Sequence, residues 1–375
     1  MSELMAANHA TAIPETPDER LLREFVEIPS LSGGEGPAAA YLAARMNELG
    51  LDAGVDEAGN AVGLVARPDR RGLCADIVLL GHLDTFPGHI PVRREGDTLH
   101  GRGTVDAKGP LAAFVVAASR ARLPEGVRLV VVGAVEEEST TSKGARHVAG
   151  LFRPAAAIIG EPSAWDGVTL GYKGRLLVDY ARRQAVNHTA VPRPSAADEF
   201  CHWWEVVRER AAAFATGRRA FDLVQATLRS VRTESDGLED RVEATAGFRL
   251  PPGVLPGHIE ELCKAVADKH AVLTFRGPEV AHIADRNNVV VRALSTAIRA
   301  VGGRPQPKVK TGTCDLNVLG PIWNCPIAAY GPGDSTLDHT PHERLSMIEY
   351  ARSIEVLMRA IEAMAEEMAT SNTAR

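Results

Sequence analysis

The sequence has no cysteine motif, no strong charge excess and no long apolar run, and each absence argues against a class of protein. Its five cysteines are scattered without a Cys-x-x-Cys pair, which argues against a disulfide framework or a zinc ribbon and fits a reducing, cytoplasmic setting. A net charge of −6 gives no indication of nucleic-acid binding. No apolar run is long enough to span a membrane, and the N-terminal residues lack the apolar core of a signal peptide.

The composition of the chain is that of an ordinary globular protein, with 45% hydrophobic and 24% charged residues. Its 375 residues exceed the size at which a single hydrophobic core usually stops growing, so two domains are expected. Residues Met1 to Pro17 are predicted to form a loose leader before the first helix.

One apolar run, Ile77–Leu80, predicts a buried strand that ends at Gly81 and is followed by His82 and Asp84. Because side chains alternate along a strand, residues two apart point to the same side. A histidine whose second ring nitrogen is held by a carboxylate is typical of a metal ligand. Taken alone, a strand-end histidine that only hydrogen-bonds its neighbour explains the pattern equally well.

Acidic residues recur at the ends of other apolar segments. Asp106 lies in a glycine-rich turn before a helix predicted over residues 111–121, a strand at 129–135 runs into Glu136–Glu138, and a strand at 155–159 is followed by Glu161. Each has a simpler explanation, Asp106 as a helix cap and the glutamates as a solvated turn. Open α/β sheets bind ligands at the carboxyl ends of their strands, so the repeated pattern favours one shared site.

The segment after Lys173 follows the order β-α-β-β-α-β, which is typical of a ferredoxin-like domain, and its tryptophans and phenylalanines are predicted to form its core. We therefore predict an α/β protein of two domains. Residues 174–284 are predicted to form a small domain inserted in a larger one, which residues 1–173 and 285–375 form, with the site between them.

The α/β pattern returns after residue 285. Residues 309–315 are predicted to be a polar loop, and residues 327–330 a strand. The segment Asp338–Glu343, before a long amphipathic helix, contributes His339 as a further ligand candidate.

The ligand candidates are mixed imidazoles and carboxylates without a thiolate, a set that suits zinc, with cobalt or manganese as substitutes. They are His82, Asp106, one or two of Glu136–Glu138, Glu161 and His339. Five ligands exceed the need of one tetrahedral zinc and suit two metals about 3.5–4 Å apart, bridged by a carboxylate and a water. A spare glutamate beside a ligand glutamate could then act as a general base.

These motifs resemble a known family. His82-x-Asp84-x-x-Pro87, Gly103-x-x-Asp106-x-Lys108-Gly109, the adjacent glutamates, Gly160-Glu161-Pro162 and His339-Thr340 are similar to those of the di-zinc aminoacylase/carboxypeptidase family, which includes acetylornithine deacetylase, succinyl-diaminopimelate desuccinylase and glutamate carboxypeptidase. The resemblance implies a mixed-sheet zinc-peptidase catalytic domain with an inserted lid and dimerisation domain.

The resemblance also implies a role for each residue. His82 and Glu161 would bind one zinc, Glu138 and His339 the other, and Asp106 would bridge them. Asp84 would orient His82, and Glu137 would be the general base. The family's acidic triplet is usually Asp-Glu-Glu, so a register with Glu136 as base and Glu137 as ligand stays open. The family's lid histidine, often supplied by the other subunit of a homodimer, would stabilise the oxyanion; His188 is its best match, with an exposed loop histidine as the alternative.

A narrower resemblance is carried by the segments Gly101–Pro110, Gly160–Arg175, Lys310–Leu319 and Tyr330–Pro341. They are similar to hydrolases that release lysine, and in some lineages ornithine, from an amino-group carrier protein during amino-acid biosynthesis. Lys173 and Arg175 are candidates to hold the substrate carboxylate, and Asp315 could meet a cationic side chain. The carrier protein would then be a partner of the enzyme.

Three alternatives remain at this point. The first is a deacylase of small N-acyl amino acids such as acetylornithine. The second is an inactive binding protein on the same scaffold, which would lack a ligand or base. The third is a cysteine nucleophile at Cys314 beside Asp315, which has no obvious histidine next to it in the sequence.

Overall fold

The structure, a computed structural model, describes residues 14–188 and 190–373. The predicted leader therefore lies mostly outside the described residues. The first helix begins where its sequence directs, because the Thr16 hydroxyl accepts from the amide of Glu19, the Glu19 carboxylate accepts from the amide of Thr16, and Pro17 occupies the first turn. Within the described residues, no helix combines the length and apolarity needed to cross a bilayer.

The helices and strands alternate along most of the chain. The α-helices of the described residues are α1 Pro17–Glu27, α2 Gly36–Glu48, α3 Lys108–Arg120, α4 Lys143–Leu151, α5 Ala196–Ala212, α6 Pro256–Val266, α7 Val289–Ala300, α8 Asp315–Trp323 and α9 Met347–Thr373. The strands are β1 Asp52–Val55, β2 Ala61–Arg67, β3 Ala75–His82, β4 Arg93–Glu95, β5 Thr98–His100, β6 Val127–Ala134, β7 Ala156–Gly160, β8 Gly167–Tyr172, β9 Gly174–Ala185, β10 Gln225–Ser235, β11 Glu239–Leu250, β12 Ala271–Glu279, β13 His282–Ile283, β14 Gln306–Lys310, β15 Ile327–Tyr330 and β16 Arg344–Ser346.

The larger sheet has the order β1-β2-β6-β3-β7-β15-β8-β13, with β14 also paired to β8. Its centre is parallel, because β3 pairs in parallel with both β6 and β7, and β7 with β15. Helices cover both faces of these strands, which explains their continuous apolar sequences. The parallel strands end at one edge of the sheet, and the residues that follow them meet there.

Besides a three-stranded sheet of order β16-β5-β4, the described residues form a small four-stranded sheet of order β10-β11-β9-β12, which is antiparallel throughout. With α5 and α6 it gives the predicted β-α-β-β-α-β order of a ferredoxin-like unit. Phe200, Trp203 and Phe248 lie in its core, and the indole N–H of Trp203 donates to the carbonyl of Cys263. The mixed α/β fold class is thus confirmed, while the exact limits 173/174 and 284/285 stay predictions.

One expectation about local structure was wrong. Residues 309–315, predicted to be a polar loop, contain the end of β14 and the start of α8. The strand was missed because its polar residues pair with β8 at the margin of the sheet, where burial does not impose an apolar pattern. Helix α8 was missed because it contains Pro321, and proline usually interrupts a helix.

Lys108 fixes the turn that carries Asp106. Its side chain is buried, and its ammonium donates to the carbonyls of Phe25 (3.1 Å) and Ile28 (2.6 Å) at the C-terminal end of α1. The last carbonyls of a helix have no partner within the helix and carry partial negative charge. A lysine ammonium supplies both a hydrogen-bond donor and a compensating positive charge. The start of α3 is thereby attached to α1 beside the site.

Candidate active site

The carboxylate of Asp106 lies between two histidines. Its Oδ1 is 3.2 Å from Nε2 of His82, and its Oδ2 is 3.0 Å from Nε2 of His339. The same nitrogen of His339 is 3.0 Å from Oε1 of Glu138. Asp106 does not cap α3, whose first turn follows Ala107, so the simpler explanation of this residue fails. Its two oxygens instead face two separate ligand candidates.

His82 is held in one orientation. The ring is buried, and its Nδ1 donates to the backbone carbonyl of Asp84 at 2.8 Å, which leaves Nε2 directed at Asp106. Burial alone would lower the pKa of His82, but the contacts with Asp106 and Asp84 outweigh it and raise the pKa. A neutral imidazole fixed through Nδ1 would present its Nε2 lone pair to a metal.

The carboxylate of Asp84 has a second set of partners. It lies 3.5 Å from Nδ1 of His82, and it accepts hydrogen bonds from the backbone amides of Glu137 (3.1 Å) and Glu138 (3.0 Å) and from the hydroxyl of Ser32 (2.7 Å). Asp84 therefore orients the histidine mainly through its main-chain carbonyl. Its carboxylate fixes the acidic turn after β6.

The acidic turn separates its three glutamates. Glu137 and Glu138 line the pocket described below, whereas the carboxylate of Glu136 accepts from the hydroxyl of Thr141 at 2.6 Å and lies 3.9 Å from the ammonium of Lys143. Glu136 also takes a left-handed backbone conformation (φ 60°), which turns its side chain away from its neighbours. The geometry thus sets Glu136 apart from the other two.

Glu161, directly after β7, completes the acidic group. Burial, and then the negative charge of Asp106, raise the pKa of Glu161 to about 8. Burial also raises the pKa of Glu137, with further contributions from Glu161 and Asp315. Carboxylates packed this closely repel one another unless a cation joins them. Two imidazoles and three carboxylates without a thiolate are a donor set that fits divalent zinc or cobalt.

One wall of a cavity of about 480 Å³ is formed by Asp106, Glu137, Glu138, Glu161 and His339. The opposite wall comes from the small domain and from the loop after β14. The lining residues are Phe86, Asp106, Glu137, Glu138, Glu161, Tyr172, Arg175, Arg229, Arg249, Val309, Lys310, Thr311, Gly312, Thr313, Ser335, Asp338 and His339.

The three substrate-binding candidates differ in their positions. Arg175 lines the cavity. Lys173 does not, because its buried ammonium donates to the carbonyl of Leu223 and to the side chain of Gln225. Asp315 is also buried outside the cavity lining, at the start of α8. Of the three, the structure brings only Arg175 to the cavity.

Sequence reasoning missed two arginines in the cavity, Arg229 on β10 and Arg249 on β11. Arg249 pairs in register with Arg175 on β9, so the two side chains lie on the same face of the sheet. Burial, followed by the charges of Arg175 and Arg229, lowers the pKa of Arg249. The sequence of β11 contained a signal, because its apolar residues alternate from Val242 to Leu250 and leave Arg249 on the face opposite the domain core.

His188 lies outside the cavity lining of this chain. It is exposed, and its Nδ1 accepts from the backbone amide of Ala190. Strand β9 leads from Arg175 at the cavity to Ala185, a span of roughly 30 Å at the usual rise per residue. Within one chain, His188 is therefore remote from Asp106 and the other ligand candidates.

Cys314 is not placed for nucleophilic attack. It is buried and does not line the cavity, and burial raises the pKa of its thiol well above the usual value. A reactive cysteine needs a lowered pKa and access to the substrate. The cysteine alternative is therefore rejected.

Comparison with known proteins identifies the class. Residues 78–363 match the model of peptidase family M20/M25/M40. The chain belongs to this family, whose members hydrolyse amide bonds.

Individual relatives match over nearly the whole chain. A [LysW]-lysine hydrolase of Deinococcus radiodurans is 49% identical over 359 residues, covering 92% of this chain and 98% of the relative. A [LysW]-lysine/[LysW]-ornithine hydrolase of Saccharolobus islandicus is 25% identical, covering 92% and 95%. Among solved structures, the M20 family metallo-carboxypeptidase Sso-CP2 of Sulfolobus solfataricus superposes with a TM-score of 0.76 at 18% identity, covering 93% and 99%.

Proposed function

We propose that this chain is a metal-dependent hydrolase that releases lysine or ornithine from an amino-group carrier protein in amino-acid biosynthesis. The observation that carries the proposal is the carboxylate of Asp106 between His82 and His339, with Glu137, Glu138 and Glu161 in the same cavity. The similarity over nearly the whole chain to a [LysW]-lysine hydrolase supports this substrate class.

The residues would hold two divalent metals per subunit, zinc or cobalt. His82 and Glu161 are the proposed ligands of one metal, Glu138 and His339 of the other, and Asp106 is the proposed bridge. When bound, such a pair polarises the scissile carbonyl and lowers the pKa of a water molecule toward about 7. The contacts between the histidines and Asp106 support this assignment, because each imidazole already directs one nitrogen at a carboxylate oxygen.

Glu137 is the proposed general base. It would take a proton from the attacking water, the water oxygen would bond to the scissile carbonyl carbon, and the carbon–nitrogen bond would break as Glu137 returns the proton to the departing amine. The amide contact between Glu137 and Asp84 supports this assignment, because it holds the residue within the cavity while leaving its carboxylate free of hydrogen bonds from the described residues. The contacts of Glu136 with Thr141 and Lys143 support leaving it out of this role.

The three arginines are the proposed carboxylate-binding group. Arg175, Arg229 and Arg249 face the acidic wall across the cavity, and no described carboxylate lies within ion-pairing distance of them. Guanidinium groups bind carboxylates in bidentate fashion. A substrate carboxylate bound there would place its amide toward Asp106 and Glu137.

Three further expectations belong to the same proposal. The enzyme would be cytoplasmic and homodimeric, and His188 of each lid would complete the site of the other subunit. Residues 1–173 and 285–375 would form the catalytic domain, and residues 174–284 the lid. The separate core of the small sheet supports this division.

The substrate proposal is tested by comparing purified enzyme on carrier-linked lysine, carrier-linked ornithine, free N-acetyl-lysine and free N-acetylornithine. We expect turnover of the carrier-linked substrates only. Comparable kcat/KM values on the free acyl amino acids would replace the carrier proposal with the small-molecule deacylase alternative. A chelator-treated sample, with activity restored by zinc or cobalt, serves as the control for metal dependence.

A further inference from the structure

Glu343 lies four residues after His339 and is buried. One oxygen of its carboxylate, Oε1, accepts hydrogen bonds from the backbone amides of Gly103 (2.9 Å), Val105 (2.9 Å) and Asp106 (3.1 Å). The other oxygen, Oε2, is 2.8 Å from Nη1 of Arg102. All of these contacts reach a single turn, which is far away in the sequence and ends at Asp106.

A buried carboxylate is costly unless hydrogen bonds compensate for its lost hydration. Three amides and a guanidinium provide that compensation here, and hydrogen bonds to an ionised group are the strong ones. The turn from Gly103 to Asp106 therefore takes its conformation from a side chain of another segment. That segment is the one that also carries His339.

A second set of contacts joins the same two segments. The guanidinium of Arg102 lies 5.8 Å from the ring centre of Phe86, and Phe86 stacks on the ring of His339 at 4.2 Å and 10°. Arg102 thus contacts both Glu343 and the aromatic ring that packs on His339. Glu343 thus holds Asp106 by its backbone amide, and Phe86 holds His339 by stacking on its ring.

We propose that Glu343 is a positioning residue that sets the distance between Asp106 and His339, and so controls the affinity of the metal site. The inference rests on the proposed metal site. It adds a residue outside the ligand set, whose carboxylate accepts hydrogen bonds from the turn that ends at Asp106 and from Arg102.

The test is metal affinity of the metal-stripped protein, measured by competition with a chromophoric chelator, together with the visible absorption of the Co²⁺-loaded protein. We expect Glu343→Ala to weaken zinc and cobalt binding roughly 10- to 100-fold, the usual effect of removing a partner behind the ligands. Glu343→Gln keeps an oxygen for the three amides but loses the charge facing Arg102. Its metal affinity should therefore fall between that of the unaltered protein and that of Glu343→Ala. Arg102→Gln should show a smaller loss.

Glu355→Gln, on the exposed face of α9 beside Arg359, is the matched control and should bind metal like the unaltered protein. A purely structural role would lower the unfolding midpoint of the metal-free variants but leave their metal affinity and cobalt spectrum unchanged. Unchanged affinity in folded Glu343→Gln and Glu343→Ala, or in the former alone if the latter does not fold, would overturn the inference. Absence of metal binding by the unaltered protein would instead overturn the proposed metal site itself.

Discussion

Asp84 shows how one buried side chain can organise two parts of a site. Its carbonyl fixes the ring of His82, and its carboxylate fixes the amides of Glu137 and Glu138. The carboxylate is fully buried, and its hydrogen bonds and the nearby histidine lower its pKa despite that burial. It therefore remains charged at neutral pH and gives the acidic turn a fixed conformation.

Replacement of the three adjacent glutamates by glutamine should separate their roles. Glu137→Gln should keep metal but lower kcat roughly 10²- to 10⁴-fold, the usual contribution of a general base. Glu138→Gln should lose metal affinity, and Glu136→Gln should resemble the unaltered protein in both. The metal content and the single-turnover rate of each variant measure these effects. A rate loss in Glu136→Gln with normal activity in Glu137→Gln would establish the other register.

The metal-free protein should become less stable as the pH rises. Burial would lower the pKa of His339, but its contacts with Asp106 and Glu138 raise it to about 10, and the pKa of Glu161 is raised to about 8. A group whose pKa is raised by folding stabilises the fold at low pH, and that stability is lost as the pH rises through the folded pKa. The loss should extend from about pH 5 to about pH 10.

Metal binding should reverse this trend, because the cation takes the place of the protons on His339 and Glu161. The stabilisation by zinc should therefore be larger at pH 8 than at pH 6. Thermal unfolding with chelator and with zinc across this range measures both effects. His339→Ala should flatten the curve of the metal-free protein, and a metal-free stability that rises with pH would contradict the expectation.

At the scale of elements, the strands of the small sheet bring like charges together. Strands β9, β10 and β11 each contribute one arginine to the cavity, and two of these arginines are direct neighbours across the sheet. Like charges at such positions destabilise a sheet. A bound anion would relieve that repulsion, which is the physical reason to propose that the three arginines bind a substrate carboxylate.

Arg249→Met should raise KM roughly 10- to 100-fold, because it removes a charge-assisted hydrogen bond worth about 1.5–3 kcal/mol. Arg249→Lys should recover only part of the loss, since an ammonium does not offer the bidentate contact. Arg232→Met, which removes an exposed arginine on the neighbouring strand β10 that is paired with Glu234, is the control. Unchanged KM values for both Arg249→Met and Arg229→Met would contradict the assignment.

At the scale of the whole molecule, the small domain extends away from the cavity. Arg175 lies at the near end of β9, and His188 follows its far end. One chain therefore contains the acidic wall and the arginines, while its candidate oxyanion donor lies roughly 30 Å away. A second copy of the chain could supply that histidine, as the family resemblance implies.

Mixing two inactive variants tests this arrangement. His188→Ala and Glu137→Gln should each lose activity alone, the former by roughly 10²- to 10³-fold as for other oxyanion donors. In a mixed dimer, one site receives an intact Glu137 from one subunit and an intact His188 from the other, so part of the activity should return. The formation of mixed dimers is verified by measuring the mass of the dimers. Exchanged dimers without recovered activity would exclude a role for His188 across the interface.

Much of the candidate site could be predicted from the sequence, because most of its residues lie shortly after apolar strands or just before a helix. His82, Asp106, Glu138, Glu161 and His339 were identified from that pattern and the resemblance it supports. The structure places the last four in the lining of one cavity and His82 buried beside Asp106. Which of the adjacent glutamates turns inward could not be read from the sequence. That choice depends on Asp84 and Thr141, whose contacts exist only in the folded chain.

The sequence by itself determined the α/β class, the inserted β-α-β-β-α-β unit and the candidate ligands, because hydrophobic periodicity and strand endings are local properties. Tertiary structure alone decided that Lys173 is directed away from the cavity, that Arg229 and Arg249 face it, and that Glu343 supports the turn of Asp106. These outcomes depend on the register between strands and on contacts across more than two hundred residues. No local pattern encodes them, because each requires two distant segments to meet.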